Sequence, residues 1–202
     1  MKKMETVDNI YEELYQPVLI HPIDPGTEFG KNVRIGYGVI IDKGCVIGDN
    51  VFIGHNSVLR EGVHIGNNSV IGHLVMIELG TKIGERVTIQ SNSHITGYAT
   101  IEDRVFMGPM SMCINTWKIS HGRNFKAEIR GPTIKYGARI GSGSVIMPGI
   151  VIGRECLIGV NSTVTKHCDD FGKYIGNPAT FRGVIPSEER LAVPVTQQQQ
   201  IS

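Results

Sequence analysis

The chain repeats itself every six residues. From Ile23 an apolar side chain stands at each sixth position: Phe29, Ile35, Ile41, Ile47, Ile53, Leu59, Ile65, Ile71, Ile77, Ile83, Ile89, Ile95, Ile101 and Met107. With 41% hydrophobic residues overall, an unbroken run of this length arises by chance about once in a million trials, so the repeat is real. A spacing of six matches neither the helical period nor the alternation of a simple strand. The stretch "IGHNSVLREGVHIGNNSVIGHLVM" (53–76) shows a second rule. Four residues after each apolar one stands a compact side chain, as at Ser57, Val63, Ser69 and Val75. Gly fills the second position in eight of the fifteen units. These rules describe a flat-sided coil, in which one large and one small side chain point inward and Gly, Asn or Asp turns the chain between short strands. Stacked coils then pair their backbones as a parallel β-helix, a structure with hexapeptide periodicity.

The register runs to Met112 and then breaks over 113–133, "CINTWKISHGRNFKAEIRGPT". This stretch carries Lys118, His121, Arg123, Lys126 and Arg130 and puts Trp117 where a compact residue belongs. Repeats resume at Ile134, 27 positions after Met107, so the sequence predicts a projecting loop of 21 residues. Long loops on rigid coils commonly carry function. Residues 1–16 read as an N-terminal cap, with an amphipathic helix over 4–16. The β-helix is expected over 17–166, a separate C-terminal segment over 167–190, and a disordered tail over 191–202.

Charge and composition exclude several roles. The net charge is +1 and aromatics are 6%, which argues against nucleic acid as the main partner. No apolar run reaches the roughly 20 residues of a membrane span, and the start of the sequence lacks a secretory h-region. Cys45, Cys113, Cys156 and Cys168 form no CxxC pair and read as buried free thiols. The expected location is cytoplasmic.

Three segments carry a family resemblance. "IGSGSVIMPGIVIG" (140–153), "IGVNSTVTK" (158–166) and "IGNPATFRG" (175–183) resemble the closing segment of coenzyme-A-dependent hexapeptide acyltransferases. "VTIQSNSHI" (87–95) and "IEDRVFMGPMSMCIN" (101–115) are similar to the branch that N-acylates nucleotide-linked amino sugars, although this chain reads "IN" where the branch often has "TN". The resemblance implies an all-β fold: a left-handed parallel β-helix with three hexapeptides per coil. It also implies a homotrimer with sites between subunits, acyl-CoA (acetyl-CoA or another) as co-substrate without a metal, and a nucleotide sugar as acceptor for cell-surface polysaccharide or lipopolysaccharide synthesis.

Eighteen residues per coil then rank the candidates. Amine acylation needs a base, and His titrates near working pH. His94 falls one coil beneath Met112, at the loop's root; His121 lies in the loop; Asn92 is expected on the His94 strand, also pointing outward. These are the catalytic candidates. His73, Asn115, Arg123, Lys126 and Arg130 are candidates for the nucleotide sugar. Gly141, Ser142, Gly159, Lys166 and Arg182 are candidates for coenzyme A. Each has a plainer reading, as a solvated wall residue, turn former or surface charge. Three alternatives stay open: transfer to a hydroxyl, a zinc site on stacked His55 and His73 in the manner of β-helical carbonic anhydrases, and a scaffold without catalysis.

Overall fold

The structure, a computed structural model, describes residues 23–191. Its strands are mostly two residues long and form three walls of seven, nine and seven strands, parallel except for the last strand of the nine. Consecutive strands fall on successive walls, so the chain winds as a triangular coil. Face 1 begins with Glu28–Phe29, face 2 with Arg34–Ile35 and face 3 with Ile40–Ile41. Strands stack eighteen residues apart: Ile47 pairs with Ile65, Ile71 with Ile89, and Ile77 with Ile95. The helical cap expected at 4–16 lies outside the described residues, as does the expected tail beyond Leu191. The only helix among the described residues is the short 3-10 turn Ser187–Glu189.

Both sequence rules have physical causes. The second residue of each strand from Ile41 onward points into a dry interior, where Ile53, Ile71, Ile77, Ile95 and Ile140 are fully buried. Burying each such side chain contributes about 1.5–3 kcal/mol. The compact position lies at the corner, and its hydroxyls are used. Ser57 donates to the Gly72 carbonyl (2.8 Å) and accepts from the Val75 amide (3.1 Å), and Ser69 repeats the pattern with Gly84 and Val87. The residue before the compact one has positive φ, which explains Asn at 32, 50, 56, 68 and 92.

The loop is shorter than the sequence suggests. Cys113 does not leave the wall: Met112–Cys113 is a strand of face 3, and Cys113 is buried and pairs with Ile146. Across the loop, partners stand thirty-three positions apart instead of eighteen (Ile101 with Ile134, Met107 with Ile140), so fifteen residues are added rather than 21. Thr133 likewise belongs to a strand, Thr133–Ile134. The loop therefore leaves after face 3 and returns before face 1, at the corner between them.

At the other end the coil tightens by two residues. Ile152 pairs with Cys168 and Ile158 with Tyr174, each sixteen apart. Strand Gly172–Gly176 then folds back against Ala179–Val184 as an antiparallel hairpin, extending face 2. Leu191 docks here, its amide donating to Glu155 Oε2 (2.7 Å).

Candidate active site

His94 stands where the sequence puts it, on face 3 with its side chain outward, paired along the wall with Met76 below and Met112 above. Its Nε2 lies 3.0 Å from Glu78 Oε1. The other oxygen of Glu78 accepts from the Gly97 amide (3.2 Å) and the Thr96 hydroxyl (3.4 Å). An imidazole is thus tied to a carboxylate that the next coil holds in place. Both side chains are partly open to solvent, 43% for His94 and 32% for Glu78. Sequence reasoning missed Glu78. Its partner is sixteen residues away, diagonally placed on the same face, and an eighteen-residue column does not reveal a diagonal contact.

The loop's two ends are fastened just above. Asn115 Nδ2 contacts the Gly97 carbonyl (3.5 Å) and its Oδ1 accepts from Thr116 (3.0 Å). The returning segment is stitched to both sides, with Arg130 N donating to Asn115 O (2.8 Å) and Gly149 N to Arg130 O (2.9 Å). Gly131 crosses the Tyr98 backbone so closely that a Cβ would lie 2.3 Å from it, so only glycine fits there. Trp117 Nε1 donates to the Pro148 carbonyl (3.0 Å). Beneath the arm lies a cleft of about 630 Å³, lined by Trp117, Lys118, Phe125, Lys126, Glu128, Arg130 and Pro148. Two aromatics, Trp117 and Phe125, line it, and its three cations outnumber its single acid. Arg123 and Lys126 are exposed, and so is His121, whose carbonyl accepts from the Arg123 guanidinium.

The remaining candidates divide between two edges. Lys166 shares the corner of face 3 and face 1 with Asn115 and Gly97, since Val164 stacks on Ile146. Asn92, His73, Gly141, Ser142 and Gly159 lie on the opposite edge, at the corner of faces 2 and 3. Asn92 is not on the His94 strand: it is the exposed left-handed turn residue before it (φ 61°). His73 has a structural task, its Nδ1 accepting the His55 amide (2.8 Å) while the two rings stack 5.0 Å apart. His55 Nδ1 does the same for Tyr37 (2.7 Å). Both Nδ1 atoms are therefore engaged by the backbone, and no group of three or more His, Cys, Asp or Glu placed to hold a metal occurs among the described residues. A Cβ at Gly141 would meet Val160 N at 2.5 Å and one at Gly159 would meet Ile175 Cγ1 at 2.8 Å, so stacking explains both glycines. Arg182 lies exposed on the terminal hairpin.

No cysteine serves as a nucleophile here. All four are buried. Burial pushes the Cys113 thiol, at the loop root, up to about 12. Cys156 is raised by its hydrogen bond with Cys168 and then by burial, and Cys45 by burial. A thiol attacks as thiolate, which these sites disfavour.

Comparison with known proteins matches this architecture. Residues 44–78 match the family described as "Bacterial transferase hexapeptide (six repeats)", and residues 136–166 match "Hexapeptide repeat of succinyl-transferase". The chain carries hexapeptide repeats in both segments. Among solved structures, it is similar to a point mutant of AntD, an N-acyltransferase from Bacillus cereus in complex with dTDP and coenzyme A. That similarity covers 93% of both chains at TM-score 0.60 and 18% identity. A hexapeptide-repeat acetyltransferase from Vibrio cholerae O1 biovar eltor, complexed with acetyl coenzyme A, matches at TM-score 0.55 and 22% identity, over 62% of this chain and 72% of that one. At these identities the likeness shows the fold, the left-handed parallel β-helix expected from the sequence. A curated relative, "dTDP-3-amino-3,6-dideoxy-alpha-D-galactopyranose 3-N-acetyltransferase" of Aneurinibacillus thermoaerophilus, is 40% identical over 52 residues, 26% of this chain and 27% of that protein's length. The chain thus spans about a quarter of the curated relative it matches. Among the described residues no helix is long and apolar enough to cross a membrane.

Proposed function

We propose that this chain transfers an acyl group from coenzyme A to the amino group of a nucleotide-linked amino sugar, in the cytoplasm, for the synthesis of a cell-surface glycan. The observation that carries the proposal is the carboxylate-bound His94 one coil beneath Met112, at the root of a pinned arm whose cleft is lined by aromatic and cationic side chains. The matched relative, an N-acetyltransferase of a dTDP-linked amino sugar, supports the acceptor class. The amine nitrogen bonds to the thioester carbon, His94 takes the proton the nitrogen sheds, the carbon–sulfur bond breaks, and that proton passes to the departing thiolate. Trp117 and Phe125 offer faces for a planar base, while Lys118, Lys126 and Arg130 offer charge for phosphates. Lys166, on the same corner farther along the coil, suits a coenzyme A phosphate.

The site is proposed to be completed in a homotrimer. The first, outward residues of the face 3 strands are Ile40, Val58, Met76, His94, Met112, Val145 and Thr163, none of them Asp, Glu, Lys or Arg, and Asp42, Arg60 and Glu78 flank them at the strand ends. Face 2 presents Phe52, Val70, Thr88 and Phe106 between Arg34 and Arg139, and Leu157 beyond. Exposed apolar stretches on a parallel sheet are normally covered. Face 3 of one copy against face 2 of the next closes a ring about the corner between them. Triangular prisms joined this way diverge outward, which leaves a wedge-shaped groove between neighbours. A smooth single prism lacks such a pocket. His94 would face this groove, with the edge of Asn115 and Lys166 at its mouth, while the edge of Asn92, His73, Gly141, Ser142 and Gly159 would lie at the ring's axis.

The test is an acceptor panel assayed with acetyl-CoA by mass spectrometry, beginning with dTDP-linked 3-amino sugars and including their hydroxy analogues. The expected product carries an amide, stable to alkaline hydroxylamine. An ester product, cleaved by hydroxylamine, would move the acceptor to a hydroxyl. No product from any acceptor would remove the proposal.

A further inference from the structure

We propose that Glu78 is the positioning residue for His94 and that it assigns the catalytic nitrogen: Nε2–H donates a hydrogen bond to Glu78, and Nδ1 is the base. This rests on the reading of His94 as the base. A carboxylate only accepts hydrogen bonds, so a neutral imidazole whose Nε2 lies 3.0 Å from Glu78 Oε1 must carry its proton on Nε2. The lone pair is then on Nδ1, which has no hydrogen-bond partner among the described residues. Rotation of the pair is restrained from the other side, since Glu78 Oε2 is held by Gly97 N and the Thr96 hydroxyl. The same corner that fastens the loop through Asn115 and Gly97 thereby fixes the ring's tautomer and angle. When the amine gives up its proton, the imidazolium that forms is stabilised by the adjacent carboxylate, as in other carboxylate–imidazole pairs. Glu78 touches neither substrate in this account. It acts only through His94.

The experiment compares wild type, Glu78→Gln, Glu78→Asp and each change on a His94→Ala background, with steady-state kinetics and nitrogen-15 NMR of the His94 ring. Glu78→Gln keeps the size of the side chain and should melt near the wild-type temperature. It should lower kcat about 10–100-fold with KM within about threefold, a loss below that of a fully buried triad carboxylate because this pair is partly exposed. Glu78→Asp should recover part of the loss. On the His94→Ala background neither change should lower kcat further, because the residue they act through is gone. In the spectra, the wild-type ring should show Nε2 protonated and Nδ1 bare, and Glu78→Gln should lose that preference. Wild-type kcat in Glu78→Gln, an unchanged ring spectrum, or an equal loss on the His94→Ala background would each overturn the proposal. If the wild-type chain acylates nothing, the functional reading falls separately, and the ring spectrum alone decides whether Glu78 sets the tautomer.

Discussion

Replacing His94 with alanine should lower kcat about 10²–10⁴-fold, the usual contribution of a positioned general base. KM for acyl-CoA should change little, because the coil beneath the side chain is untouched: Ile95 and Ser93, on either side, point into the core. The loss should depend on pH in a definite direction. The base matters because the attacking amine is largely protonated at neutral pH and must shed a proton to react. As pH rises and the amine deprotonates in solution, the variant should regain ground on the wild type. Initial rates of thiol release across a pH series check this. A variant within about threefold of wild type at neutral pH would show that His94 is a wall residue. The exposed loop imidazole of His121 would then be the next candidate.

A charge placed on face 2 should abolish activity from a distance. Val70 is 39% exposed in the single chain and sits between Phe52 and Thr88, far from the loop corner. Val70→Glu should fold, because its side chain points away from the core. In the proposed ring the same position is covered by the neighbour's face 3, and an unpaired buried charge costs about 3–5 kcal/mol. Repeated at three symmetric contacts, that penalty should leave a monomer in sedimentation. If the groove is shared, the monomer should be inactive although its His94 and Glu78 are intact. A variant with wild-type mass and turnover would show that face 2 is not an interface. A fully active monomer would show that one chain holds the whole site.

How much of this was legible in the sequence follows from where each contact lies. The coil was legible because its interior repeats strictly: Ile53, Ile71 and Ile89 occupy the same place one turn apart, and only an aliphatic residue fills it well. His94 beneath Met112 followed once three hexapeptides per coil were assumed. The loop's start was misjudged because Cys113 is a less obvious core residue than the isoleucines, and the next slot is already displaced by the insertion. The last coil was hidden for a related reason. Cys168 and Tyr174 fill core positions sixteen residues after their partners, where an eighteen-residue count finds nothing. His73 and His55 drew notice as imidazoles, yet their Nδ1 atoms cap backbone amides between coils. Nothing in residue type distinguishes that role from a ligand's. Glu78 was illegible because its meaning comes from a diagonal contact and two donors on the following coil, which exist only after the chain has wound.

The most direct test is a structure of the assembled protein with coenzyme A and a nucleotide-linked amino sugar bound. The account predicts both ligands in a groove between two copies, with the acceptor amine within about 3–4 Å of the His94 ring and the coenzyme running toward Lys166. Coenzyme A bound on face 1, or an acceptor amine remote from His94, would contradict it.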